Sequence, residues 1–252
     1  MGREQRSRRR LPPSEFCYLC GKPIAEGEVW NRDHVPPQRL FAKRVRKQYS
    51  PQLDWLPTHI ACNSAYAGDE DYFVTALVGQ HGTEWAKAVF EDIRRGVAKG
   101  QGIGLIKTIL SQFGKVRTAD GSMLFALDAN RANRAIWKIV RRLYTLETGR
   151  FLPELSFLSI EIVPRAEADE RLPGHLWFEF VRNTERLGRH QAIFDYKWVG
   201  RYIDDGHVDI RESRGNFMAL LFWDALIVLC MFHDPACRCH RCRTDRAWKP
   251  CV

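Results

Sequence analysis

A chain of 252 residues, 45% hydrophobic and 27% charged, has the make-up of a water-soluble protein and room for one sizeable core or two modest ones. Its formal charge of +9 and pI near 9.3 turn attention to polyanionic partners, nucleic acid first, because lysines and arginines that neutralise phosphates release condensed counterions; an ordinary basic surface accounts for the charge equally well. Eight cysteines are no disulfide framework in a chain this long, so a reducing, cytoplasmic setting is expected. The most apolar run, residues 217–232, carries Asp224 and is shorter than the roughly 20 residues that cross a bilayer, so it reads as buried core and no membrane association is expected.

Residues 1–13 hold Arg3, Arg6, Arg8, Arg9 and Arg10 with no apolar periodicity or signal-peptide pattern, and read as a disordered basic arm that can lie along phosphates or simply solvate the terminus. Residues 14–82 form the next unit. Cys17 and Cys20 make a Cys-x2-Cys pair, and His59, Cys62 and Asn63 make a His-x2-Cys-Asn run. Thiolate and imidazole in two knuckles suit tetrahedral zinc, so Cys17, Cys20, His59 and Cys62 read as one closed structural site whose metal supplies folding free energy to a unit too small to fold alone. A strand is expected over residues 28–33, stopped by Pro36 and Pro37, with His34 projecting at its end. Arg39, Lys43, Arg44, Arg46 and Lys47 crowd residues 38–50, a flexible basic loop beside a phosphate or an amphipathic helix with a basic face. Asn63 opens a short helix. The acidic run 68–71 reads as the start of another, with additional metal ligands as the lesser alternative.

Residues 83–150 read as helical. Thr83 is the expected N-cap of a helix with Trp85, Val89, Phe90 and Ile93 on one face. The glycine-rich stretch near residues 96–104 lacks the lysine and hydroxyl of a phosphate loop and reads as a turn. A second helix over residues 129–146 carries Ile136, Ile139, Val140 and Leu143 on its core face. Arg131, Arg134, Lys138, Arg141 and Arg142 fall mostly on other faces, solvated or turned toward DNA. Residues 151–232 change to strand patterns at 158–163, 176–181, 192–199 and 207–210, with one or two more in 216–232. The expected class is therefore α+β: a zinc-bound N-terminal unit, helices, then a mostly antiparallel sheet with the long helix against it. His175, His190 and His207 are isolated and read as structural or surface residues. In the basic tail, residues 233–252, Cys237, Cys239, Cys242 and Cys251 with His233 and His240 offer a second zinc site, though reduced thiols are the simpler reading.

With Asp33 and His34 adjacent and Asn63 beside Cys62, residues 16–73 resemble the HNH nuclease family, whose ββα-metal, treble-clef-like core is often braced by zinc-binding cysteines. The resemblance implies that Asp33 and Asn63 are ligands of a catalytic Mg2+ or Mn2+ and that His34 is the general base. Asp54 stands at the family's middle position, where the pattern has Asn and the residue mainly orients the loop. The implied activity is metal-dependent endonucleolytic hydrolysis of phosphodiesters, with DNA the expected substrate and 5′-phosphate and 3′-hydroxyl ends the expected products. The competing expectation is a non-catalytic zinc finger that binds nucleic acid or serves assembly. Every zinc ligand and the basic charge serve it as well, but it gives no reason for the Asp33–His34 pair or for Asn63. Oligomeric state is not legible in the chain.

Overall fold

The computed structural model describes residues 16–49, 53–78, 82–117, 123–125, 127–153, 158–164, 167, 188, 190–202 and 215–233. The N-terminal arm, the strands expected at 176–181 and 207–210, His175, His207, and the tail from residue 234 lie outside these. Helices and antiparallel sheets alternate in an α+β arrangement. No helix among the described residues is long and apolar enough to cross a membrane.

The first hairpin pairs β1 (Trp30–Val35) with β2 (Asp54–His59), and β2 leads directly into α2 (Ile60–Val78). β1 therefore begins and ends two residues later than expected and includes His34; Pro36 and Pro37 still stop it, since neither can donate to a ladder. Between the strands the basic segment is ordered. A 3-10 turn over Gln38–Leu40 precedes α1 (Lys43–Tyr49), and Leu40, Phe41, Ala42 and Val45 are buried, so the amphipathic-helix alternative is what forms.

The acidic run 68–71 is corrected by the structure: it begins no helix but sits in the middle of α2, which spans 19 residues. Three carboxylates are tolerated there because each meets a cation from elsewhere. α3 (Glu84–Ala98) starts where expected, with the Thr83 hydroxyl accepting from the Ala86 amide at 3.3 Å. Its buried positions are Ala86, Ala88 and Val89, whereas Phe90 is exposed. The glycine-rich turn follows, and Gly102, with φ +69°, starts α4 (Ile103–Leu110). A small hairpin, β3 (Phe113–Arg117) with β4 (Met123–Phe125), was not anticipated.

α5 (Ala129–Thr148) begins at Asp128, whose carboxylate accepts from the Asn130 and Arg131 amides, and ends at Gly149 in the left-handed region. Its apolar face lies on a four-stranded antiparallel sheet in the order β5 (Leu158–Pro164), β8 (Leu226–His233), β7 (Gly215–Phe222), β6 (Phe194–Tyr202). Edge-to-face contacts of Trp137 and Tyr144 with Phe232 join helix to sheet, and Phe73 of α2 meets Phe222 in the same way. One apolar cluster thus draws on α1, α2, α3, α5 and the sheet. The β7–β8 turn puts Trp223 and Asp224 at positive φ, which costs about 1–3 kcal/mol per residue. Full burial of Trp223 and a 3.2 Å hydrogen bond from its indole to the Leu40 carbonyl offset that cost and tie the sheet to the segment after β1.

Candidate metal centre and the neighbouring charge cluster

The Cys17–Cys20 knuckle is closed by bonds from the Gly21 amide to the Cys17 carbonyl and from the Cys17 amide to the Lys22 carbonyl, 2.8 and 2.9 Å. Gly21 is required there: its φ is +73°, and a Cβ would come within 2.9 Å of the Phe151 ring. The second knuckle is the junction of β2 and α2, which supplies His59 and Cys62. The ligand atoms of Cys17, Cys20, His59 and Cys62 all lie within 4.8 Å of one another, an arrangement that could hold a metal such as zinc. His59 Nδ1 is 3.2 Å from the Cys20 sulfur and 3.8 Å from that of Cys62, while its Nε2 lies 3.4 Å from a Glu28 carboxylate oxygen, the support that metal-bound imidazoles usually have. Burial opposes the Cys17 thiolate, yet hydrogen bonds from Thr58 and from the His59, Cys20 and Leu19 backbone lower its pKa to about 7. Cys62 is pushed up to about 12, by burial first and then by Cys17 and Cys20. Three thiols without a cation cannot all ionise; the donor set calls for a positive charge at its centre.

Asp33 and His34 alternate across the hairpin, as neighbours in a strand must. The Asp33 side is buried. Its carboxylate accepts from the Tyr18 hydroxyl and from Arg142, and lies 3.2 Å from the Lys138 ammonium. Lys138 Nζ also donates to the Asn63 side-chain oxygen at 2.7 Å and to Glu70 at 2.6 Å. Arg142 lies 3.5 Å from the other Glu70 oxygen and donates to the Tyr18 hydroxyl and the His34 carbonyl. Burial opposes ionisation of Asp33, but Arg142 and Lys138 hold its pKa below the usual carboxylate range. Burial likewise raises Tyr18 well above the usual phenol range, so its hydroxyl stays a donor.

These contacts correct the expectation that the basic residues of α5 face outward. Arg131, Arg134, Lys138 and Arg142 recur at helical spacing along the side opposite the apolar face, and that side is pressed on α2. Arg131 and Arg134 pair with Asp69 at 3.1 and 2.8 Å. The Lys138 and Arg142 side chains are 0% exposed, and Arg141 is buried with its guanidinium on the Leu152 and Leu19 carbonyls. The signal was present in two places, a basic stripe on one helix and three consecutive acids on another, but nothing local joins them.

His34 is half-buried, and its Nδ1 is buried without a hydrogen-bond partner among the described residues. Burial first and then Arg142 lower its pKa, Asp33 opposes them, and Arg32 adds a smaller lowering, so the neutral ring is favoured. It shares its hairpin face with residues not anticipated from sequence. Trp30 stacks on Trp55 with centroids 5.8 Å apart, and the exposed Arg32 guanidinium lies 4.7 Å over the Trp55 ring. Asp54 pairs with Val35 at the same end of the hairpin, on the Asp33 side. Of the basic residues after β1, Arg39 is bound to Asp71 and the half-buried Arg46 donates to the Phe41 carbonyl; Lys43, Arg44 and Lys47 are exposed.

No protein-family model, curated protein or solved structure matches this chain.

Proposed function

We propose that this is a zinc-braced protein of HNH type that acts on nucleic-acid phosphodiesters, with His34 as the general base. The observation that carries the reading is the convergence of two groups distant in sequence, the Asp33 carboxylate and the Asn63 amide oxygen, on one cation beside the strand that bears His34. The order β1, β2, α2 and the cluster of Cys17, Cys20, His59 and Cys62 at the strand–helix junction support it. Zinc bound by those four residues supplies rigidity and no chemistry of its own in this scheme.

His34, neutral at pH 7, takes a proton from a water aligned with phosphorus; the new P–O bond forms as the P–O3′ bond opposite breaks, and the departing oxygen takes a proton from solvent, to leave 5′-phosphate and 3′-hydroxyl ends. Arg32 on the same hairpin face offers positive charge to the phosphate, and the Trp30–Trp55 pair offers rings on which bases stack. The Mg2+ or Mn2+ that the resemblance implies does not fit between Asp33 and Asn63 as they stand, because both already hold Lys138, so no step here passes through it. That same filling favours a second reading, a non-catalytic zinc-braced protein that binds nucleic acid or a partner: Lys138 and Arg142 are sealed from solvent and cannot meet a phosphate directly. The deciding experiment is incubation of the purified protein with plasmid, linear DNA, single strands and RNA, with and without Mg2+ or Mn2+, beside His34→Ala. Cleavage that disappears with His34 supports the nuclease; binding without cleavage leaves the second reading.

A further inference from the structure

The centre of the Asp33, Asn63 and Glu70 cluster is filled from within the chain. We propose that the Lys138 ammonium is the resident cation of this site, standing where a divalent ion would sit and excluding it, so that removing the Lys138 charge uncovers a site for a divalent cation. This deepens the preceding reading, from which it takes the idea that Asp33 and Asn63 mark a cation position.

Three oxygens from three separate places in the chain point at one nitrogen: Asp33 at 3.2 Å from β1, and Asn63 at 2.7 Å and Glu70 at 2.6 Å from positions about two turns apart on one side of α2. Two carboxylates and an amide oxygen are the hard donors that Mg2+ and Mn2+ select. Yet the charges already balance, two carboxylates against Lys138 and Arg142. A divalent ion entering such a neutral group meets two fixed cations, whose repulsion offsets the attraction of the two carboxylates. Nor can Lys138 withdraw easily, since its side chain is 0% exposed and α5 is fixed on both sides, by the sheet and by α2. Neutralising Lys138 reverses the balance. Asp33 and Glu70 then face Arg142 alone, one negative charge is uncompensated in a buried place, and the vacated volume lies among three oxygen donors.

The test uses the full chain with zinc bound and Mn2+ as the probe, followed by the electron paramagnetic resonance of free Mn2+ and by thermal unfolding. The parent should take up no Mn2+ in an Asp33-dependent way and show no saturable rise in Tm. Lys138→Met should be less stable than the parent, bind one equivalent of Mn2+ and recover Tm in a saturable manner, and adding Asp33→Asn should abolish both effects. Lys138→Gln, which keeps a donor for Asn63 but not the charge, should behave the same way. If the parent binds one equivalent that is lost on Asp33→Asn, a divalent ion displaces the lysine and the proposal fails. It also fails if both lysine variants fold without binding Mn2+, or if neither folds with Mn2+ supplied, because a position built for a cation accepts either. Neither readout involves cleavage: a parent that cuts nothing defeats the role given to His34 and leaves the assignment of Lys138 standing.

Discussion

Two groups of buried and half-buried polar side chains flank Tyr18, and they solve the same problem in opposite ways. Cys17, Cys20, His59 and Cys62 bring together three thiols and an imidazole with no protein cation among them. Asp33, Glu70 and Asn63 arrive with their cations supplied, Lys138 and Arg142 from α5. Desolvated donors need a positive charge at their centre, and whether it comes from a metal or from the chain decides which group depends on solution conditions. The thiol cluster should fall apart with chelator, whereas the carboxylate cluster should answer to pH and to substitutions on α5.

The largest effect separating the two should come from Cys62→Ser. Structural zinc carries roughly 10–16 kcal/mol of apparent binding free energy in small zinc units, so this variant should lose bound zinc and the near-ultraviolet signal of Trp30 and Trp55, while α5 and the sheet keep their far-ultraviolet signal. Next, Arg142→Met should destabilise the fold by about 3–5 kcal/mol in urea, since it strands buried carboxylates, whereas replacing Lys138 and Glu70 together by Met and Leu should restore most of what Lys138→Met loses. On nucleic acid, His34→Ala should cut cleavage by roughly 10²–10⁴-fold with zinc content unchanged.

Titration sharpens the contrast further. The Asp33 pKa is depressed in the folded state, so its stabilisation is fully present above the unfolded value of 3.8 and is lost as pH falls through the lower folded value. Asp33→Asn should remove that acid limb. His34 is depressed as well, so its neutral form adds stability above its ordinary 6.5 that declines as pH drops below it, and the rising limb of any His34-dependent cleavage should have its midpoint below 6.5. The smallest effect sets the scale: Thr83→Ala, at the N-cap of α3 and away from both clusters, should cost about 1 kcal/mol with zinc content unaltered.

What could be read from sequence divides along the same line. The thiol cluster is written in local spacings, Cys-x2-Cys and His-x2-Cys, and the cap of α3 at Thr83 is likewise local, as are the alternation of β5 and the unbroken apolar run of β8. The carboxylate cluster is not local. Glu70 and Lys138 lie 68 positions apart, so residues 69–71 look like a helix start and Lys138 and Arg142 look like a solvated face until α2 and α5 are seen side by side. Burial of a full charge is against the prior for Lys and Arg, and only the matching acids make it possible. Trp30 and Trp55 were hidden for a similar reason, since their stacking depends on the β1–β2 register.

The most direct measurement is elemental analysis of zinc and manganese bound to the full chain after dialysis against Mn2+, for the parent, Cys62→Ser and Lys138→Met. The parent should retain zinc and no manganese, Cys62→Ser should hold less zinc by one equivalent and still no manganese, and Lys138→Met should keep the zinc and gain one manganese. Manganese retained by the parent and lost with Asp33→Asn would contradict the account.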